Sequence, residues 1–160
     1  ITRKLFSLNE LFRQLESSTL EDLKFYEKET IRLHIELSLP DHQSFVFNDD
    51  QRVKQVLHNL LSNAVKFSGD NGQISLRLDL TSDRKAIVTV RNTGSGLDEA
   101  LLARLFDENF QPSPEPGQRF GGLGIRLFLA RQLIEAQGGK IWAEGKPGKG
   151  ASFYVQIPVR

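Results

Sequence analysis

Residues 49–67 read as one amphipathic helix, and that helix narrows the possible folds more than any other stretch of the chain. Val53, Val56, Leu57, Leu60, Leu61 and Ala64 recur at helical spacing and form a continuous apolar stripe. Asn48-Asp49-Asp50 offers N-caps in front of it, and residues 68–72 supply turn chemistry behind it. A stripe of this width must be covered by other secondary structure. Strands are at hand: Ile31, Leu33, Ile35 and Leu37 alternate with Arg32, His34, Glu36 and Ser38 until Pro40. Ile74, Leu76, Leu78 and Leu80 repeat that period of two, and a turn at 81–85 joins them to a strand at 86–91. A short strand at 45–47 and a closing hairpin of 140–144 with 151–157 complete the set.

Further helices flank these strands. Ser7-Leu8-Asn9-Glu10 is a capping box, with Leu8, Leu11, Phe12 and Leu15 on one face behind it, and a second helical stretch reaches about residue 29. A short helix begins near Asp98 and carries Leu101, Leu102 and Leu105. A last helix follows Gly124, with Ile125, Phe128, Leu129, Leu133 and Ala136 inward, and Gly138-Gly139 stops it. Between those two, residues 107–120 hold Pro112, Pro114 and Pro116 at alternate positions, which excludes helix and paired strand alike. This order predicts the α/β class: a two-layer α/β sandwich, its mixed and mostly antiparallel sheet covered on one face by helices, as a single domain over residues 1–160.

Composition removes whole classes of function. With 160 residues, 39% of them hydrophobic and eleven of them Phe, the chain buries a core without staples. The absence of Cys excludes a disulfide framework, thiolate zinc and thiol catalysis. A net charge of +1 points to neither nucleic acid nor an anionic membrane. The longest apolar run, Leu127-Phe128-Leu129-Ala130, falls far short of the roughly 20 residues that span a bilayer. No signal-peptide pattern is visible in these residues, so none is expected. A sequence that starts at Ile and holds no Met reads as a soluble segment of something longer.

Three motifs could carry chemistry. Gln55, Asn59, Asn63 and Lys66 form a polar line beside the apolar stripe of the long helix. An amide oxygen is a hard ligand for magnesium and a lysine neutralises phosphate, although spacing alone also fits a solvated helix face. Asn92-Thr93-Gly94-Ser95-Gly96 follows a strand, and its glycines permit a tight turn and close approach to a flat ligand; a plain strand-to-helix turn fits as well. Gly121-Gly122-Leu123-Gly124 opens a helix after a structureless stretch, where free N–H groups and the helix dipole suit anionic phosphate.

Other patterns carry nothing. The turn at 145–150, with Lys146 and Lys149, continues into Ala151-Ser152 and a strand, so it is not a P-loop. Glu99 and Leu127 stand where a dinucleotide fingerprint needs its third glycine. His34, His42 and His58 lack metal spacing and a carboxylate set and read as surface residues, and no nucleophile elbow is present.

In this order the motifs resemble, over essentially the whole chain, the ATP-binding catalytic domain of sensor histidine kinases, in the Bergerat-fold ATPase superfamily. Gln55-Val56-Leu57-His58-Asn59-Leu60-Leu61-Ser62-Asn63-Ala64-Val65-Lys66-Phe67-Ser68 is similar to the N box almost residue for residue. Residues 92–96 resemble the first glycine box, Leu105-Phe106 with Phe110-Gln111 the F box, and residues 122–127 the second glycine box. Gly138-Gly139-Lys140-Ile141-Trp142 with Gly148-Lys149-Gly150-Ala151-Ser152-Phe153 resembles the closing hairpin.

The resemblance implies roles. ATP and Mg²⁺ are the expected cofactors: Asn63 ligates Mg²⁺ with support from Asn59, and Lys66 touches the phosphates. Gly94 and Gly96 let adenine approach, beside Asn92. Phe106 belongs to the nucleotide site, Gly122, Leu123 and Gly124 hold the phosphates, and Arg119 reaches them from a lid at 107–120. The γ-phosphoryl passes to a histidine, with positioning and charge neutralisation as the means. No residue of this chain is that acceptor, since His34, His42 and His58 lack its His-Glu/Asp context. The implied partners are a histidine-containing dimerisation domain and, downstream, a response regulator. The isolated domain is expected to be monomeric, and the whole is expected to form the cytoplasmic part of a larger sensor kinase, membrane-bound or not. In the chaperone and gyrase branches a Glu base occupies the position of Asn59; an amide there implies slow hydrolysis.

The chain departs from the family pattern at three places. Asn92 replaces an Asp that reads the adenine amino group, a change of roughly 1–2 kcal/mol or about 5–30-fold in affinity. Arg126 stands for the last glycine of the second box: strained if that position needs a positive φ, an added phosphate charge if it is helical. Glu108 and Asn109 replace the usual proline and aromatic of the F box. The N box favours a working kinase module, while Asn92 and Arg126 favour a degenerate one that binds nucleotide poorly and docks onto kinase partners. A serine phosphotransferase of the anti-sigma kind is a third reading, opposed by the closing hairpin and the full-length lid.

Overall fold

The long helix forms where its pattern places it, as α2 (Asp50–Phe67), behind Asp49, whose carboxylate accepts the Arg52 N–H at 3.2 Å. The computed structural model describes residues 1–94, 96–108 and 123–159, the side chains of 123–126 excepted. In chain order the other elements are β1 (Lys4–Ser7), α1 (Leu8–Phe25), β2 (Arg32–Leu37), β3 (Phe45–Asn48), β4 (Gln73–Leu80) and β5 (Lys85–Asn92). They are followed by α3 (Glu99–Arg104), α4 (Leu123–Glu135), β6 (Lys140–Gly145) and β7 (Ala151–Pro158).

Five strands form one sheet in the order β2-β4-β5-β7-β6, parallel at β2–β4 and antiparallel elsewhere. A parallel pair needs a crossover, and α2 lies in the connection between β2 and β4. Ile74, Leu76, Leu78, Val88, Val90, Val155 and Ile157 turn one face inward, and with the stripe of α2 and Leu8, Phe12 and Leu15 of α1 they make the core. The opposite face carries Arg77, Arg91 and a stacked Trp142–Tyr154 pair with ring centroids 5.2 Å apart. This is the expected sandwich, with a separate β1–β3 ribbon that periodicity did not reveal. No helix among the described residues is long and apolar enough to cross a membrane.

The residues just before β1 and just after α4 hold the start of α2. Asp49 Oδ2 accepts the Thr2 N–H at 2.8 Å, and the Asp49 N–H donates to Gln137 Oε1 at 2.9 Å. Burial would raise the Asp49 carboxyl, but the N–H groups of Thr2 and Arg52 outweigh it and hold its pKa below the ordinary carboxylate value.

Two sequence expectations need correction. The first 25 residues hold one helix, α1, and not a second stretch reaching 29. It stops because Glu27 turns to φ 55°, and the Lys28 N–H then reaches back to the Leu23 carbonyl at 2.8 Å. The phase expected for α4 is also wrong. Leu127, Ala130 and Ile134 are its buried residues, Leu129 is 49% exposed, Ala136 is exposed, and Phe128 and Leu133 are half-buried. Ile125 lies among the side chains not described. Arg131, Gln132 and Glu135 mark its outer side, but apolar residues run far enough round the rest of the helix to leave the buried face open. Just past its end, Gln137 Nε2 donates to the Leu133 carbonyl while Oε1 accepts the Asp49 N–H.

Candidate functional site

The outer face of α2 forms one wall of a cleft of about 440 Å³. Gln55, His58, Asn59, Ser62 and Lys66 line it from α2, Leu129, Ala130 and Leu133 from α4, and Tyr26 from the end of α1. The polar line expected on the long helix thus meets in one place, apart from Asn63. That side chain turns into the protein, only 6% exposed, and its amide nitrogen has no hydrogen-bond partner among the described residues. A buried amide nitrogen without a partner costs about 1–3 kcal/mol, and a bound ligand is one way to complete its bonding. A half-turn of the amide puts Oδ1 where the nitrogen lies, so Asn63 can offer a hard oxygen there. The residues present therefore fit a magnesium ion. Among the described residues no three His, Asp or Glu side chains cluster to hold a metal.

The first glycine loop meets α2 at its end. A Cβ placed on Gly94 would lie 3.0 Å from the Phe67 carbonyl oxygen. Asn92, 8% exposed at the end of β5, donates from Nδ2 to the Thr93 carbonyl at 3.2 Å. Ser95 lies outside the described residues. The turn at 145–150 backs this loop: it leads into β7, as expected of something other than a P-loop, and its Gly150 N–H donates to the Gly94 carbonyl at 3.2 Å. Gly96 (φ 76°) and Gly150 (φ 77°) adopt left-handed conformations. A Cβ on Gly96 would overlap the Lys146 carbonyl oxygen, and one on Gly150 the Asn92 carbonyl oxygen. The glycines of this loop thus answer to a close approach within the chain itself.

The second glycine box is only partly visible. Leu123 and Gly124 lie in the first turn of α4, and Arg126 has helical backbone with no positive φ, which removes the strain considered for it. Arg119, Gly122 and residues 109–120 of the expected lid lie outside the described residues. In the F box, Leu105 is buried and Phe106 packs half-buried against the core. His34, His42 and His58 are exposed, as expected, yet His58 also lines the cleft. His58 and Ser62 could have been read from the helical wheel, one position before and three after Asn59. Tyr26, Leu129 and Leu133 could not, because other elements bring them there.

Known proteins share this arrangement. A family model for histidine kinase-, DNA gyrase B- and HSP90-like ATPases matches residues 48–160. The adaptive-response sensory kinase SasA of Prochlorococcus marinus (strain MIT 9303) is 36% identical over 88% of this chain and 37% of its own length. The circadian input-output histidine kinase CikA of Synechococcus elongatus is 38% identical over 96% of this chain and 20% of its own. The chain thus spans well under half the length of these curated relatives. A nucleotide-free catalytic domain of the histidine kinase ThkA superposes with a TM-score of 0.83 at 32% identity, over 99% of this chain and 97% of that one. ThkA in complex with the response regulator TrrA gives 0.79 at 31% identity, over 99% and 42%. None of these favours the degenerate docking reading. Matched by the family from the end of β3 onward, and by a kinase catalytic domain over nearly all its length, the chain belongs to the histidine kinase-, DNA gyrase B- and HSP90-like ATPases as an ATP-binding catalytic domain of the sensor histidine kinase type.

Proposed function

We propose that residues 1–160 act as one module that holds Mg-ATP along α2 and presents its γ-phosphoryl to a histidine of a separate dimerisation domain. The observation that carries this is the buried amide of Asn63, its nitrogen without a partner among the described residues, on the same helix as Asn59 and Lys66 of the cleft. Asn63, supported by Asn59, would ligate the magnesium ion, which when bound supplies positive charge to the phosphates. Lys66 reaches the phosphates as a point charge. Asn92 accepts from the adenine amino group beside Gly94 and Gly96, with Phe106 behind. The first turn of α4, with Gly122, Leu123 and Gly124, offers N–H groups to the phosphates, and Arg119 joins them from the lid at 107–120.

In the transfer, the bond from the γ-phosphorus to the β–γ bridging oxygen breaks and a bond to an imidazole nitrogen forms, leaving ADP. The protein's part is to orient the in-line pair and to balance charge. Asn59 takes no proton, so water is not activated in the acceptor's absence. The downstream partner is a response regulator, as in the ThkA–TrrA complex, and the module works in the cytoplasm, within a longer sensor kinase. Titration with a fluorescent ATP analogue tests the reading: affinity should rise with Mg²⁺, and γ-labelled ATP should leave the isolated chain unlabelled. Equal affinity with and without Mg²⁺, or stable label on His34, His42 or His58, would sink it.

A further inference from the structure

The last four carbonyls of a helix have no partner within it. In α2, Ser68 takes the Ala64 carbonyl twice, through its N–H at 3.0 Å and its hydroxyl at 2.7 Å. The next two go to one side chain from elsewhere. Lys28 Nζ donates to the Val65 carbonyl at 2.9 Å, to the Lys66 carbonyl at 2.9 Å and to the Ser68 carbonyl at 3.1 Å. An ammonium has three N–H donors, and here each meets a backbone oxygen. The cation also sits at the negative end of the α2 dipole. Burial pushes the Lys28 pKa down, opposed by the charge of Asp70.

The chain is bent to deliver this lysine. Past α1, the Glu27 N–H bonds the Lys24 carbonyl at 3.1 Å and the Lys28 N–H the Leu23 carbonyl at 2.8 Å, with Glu27 at φ 55°, a region L side chains rarely adopt. The side chain one position before, Tyr26, lines the cleft, and the Lys66 side chain lines it from α2. Lys28 therefore holds the backbone carbonyl of Lys66, whose side chain lines the cleft.

We propose that Lys28 is a positioning residue for the phosphate half of the site: it fixes the last turn of α2, from which Lys66 reaches the cleft, and through that turn the buried amide of Asn63. This rests on the ATP reading above. The adenine half touches that turn at Phe67 but is also backed by the turn at 145–150, which holds the Gly94 carbonyl, so it should lose less than the phosphate half when Lys28 is removed.

The test compares the parent chain with Lys28→Met and Lys28→Arg, using a fluorescent ATP analogue with Mg²⁺ and, separately, adenosine, which lacks phosphates. Hydrogen exchange at residues 66–68 reports the grip itself. Lys28→Met should weaken the Mg²⁺ analogue by about 10-fold or more, the usual loss when a supporting partner of a metal site is removed. Adenosine affinity should fall less, exchange at 66–68 should speed up, and Lys28→Arg should restore both. If Lys28→Met does not fold, Lys28→Gln, which keeps two N–H donors, should show the same split in smaller measure. Parent-like analogue affinity in Lys28→Met, or equal loss of analogue and adenosine, overturns the proposal. A parent that binds neither overturns the ATP reading, and this one with it.

Discussion

In the loop after β5, backbone rests on backbone: Gly96 and the Lys146 carbonyl adjoin with no room for a side chain between them. Along α2 every group offered to the cleft is the end of a side chain, from Gln55 to Lys66. The first region is built by leaving atoms out and the second by choosing functional groups, on a scaffold that Asp49 and Lys28 hold at its two ends. It follows that substitutions in the loop should cost stability, and those along α2 should cost binding with the fold retained.

The largest effect is expected where a side chain enters the interlock. Gly96→Ala combines a left-handed conformation with overlap against backbone, and should destabilise by about 2–5 kcal/mol, read from thermal or urea unfolding. Gly148→Ala makes the contrast within the same pair of loops. Its φ is 75° but nothing lies within 4 Å of a Cβ, so only the left-handed cost of about 1–2 kcal/mol applies. Equal losses in the two variants would remove the interlock from the account.

Asn63→Ala tests the opposite behaviour. It should abolish the Mg²⁺ enhancement of nucleotide binding, a loss of about 10–100-fold, while circular dichroism stays unchanged. Because the variant also removes an orphaned buried amide, its stability should not fall as a cavity alone would dictate. A variant that keeps the Mg²⁺ enhancement would take Asn63 out of the site.

Asn92→Asp lies at the junction of the two regions. A carboxylate accepts more strongly from the adenine amino group, so ATP affinity should rise by about 5–30-fold, and GTP, with a carbonyl at that ring position, should gain nothing. The lost bond to the Thr93 carbonyl favours the low end of that range. Calorimetry with both nucleotides measures it, and equal gains for ATP and GTP would argue against base reading by residue 92.

The smallest effect belongs to the far end of α2. The folded pKa of Asp49 lies below its unfolded value of about 3.9, so its stabilisation is present above that pH and is lost as pH falls through the folded value. Asp49→Asn should flatten this part of the acid-unfolding curve and leave nucleotide affinity at neutral pH untouched. A change in affinity would mean that both ends of α2, and not Lys28 alone, set the phosphate half.

The legible parts of the site were those that one element repeats. Gln55, Asn59 and Lys66 share the cleft because they share a helix face, and β4 and β5 turn Ile74, Leu76, Leu78, Val88 and Val90 inward because a strand alternates. The resemblance added the order of the motifs, and the family match over residues 48–160 agrees with it. The strand at 45–47 was legible and forms β3, but β1, only four residues long, was too short for a period to show, so the ribbon they make was missed.

By itself, then, the sequence determined the 18-residue helix α2, its buried stripe and its polar line, because each is a periodic property of one local segment. Only the tertiary structure decided which face of α4 is buried, since its apolar residues run well beyond one side and packing selects Leu127, Ala130 and Ile134 among them. The grip of Lys28 on carbonyls 37 to 40 residues away and the meeting of Gly96 with Lys146 were decided there too. In both, the partner is a backbone oxygen, which every residue type carries, so no side-chain pattern in the sequence can mark which one is met.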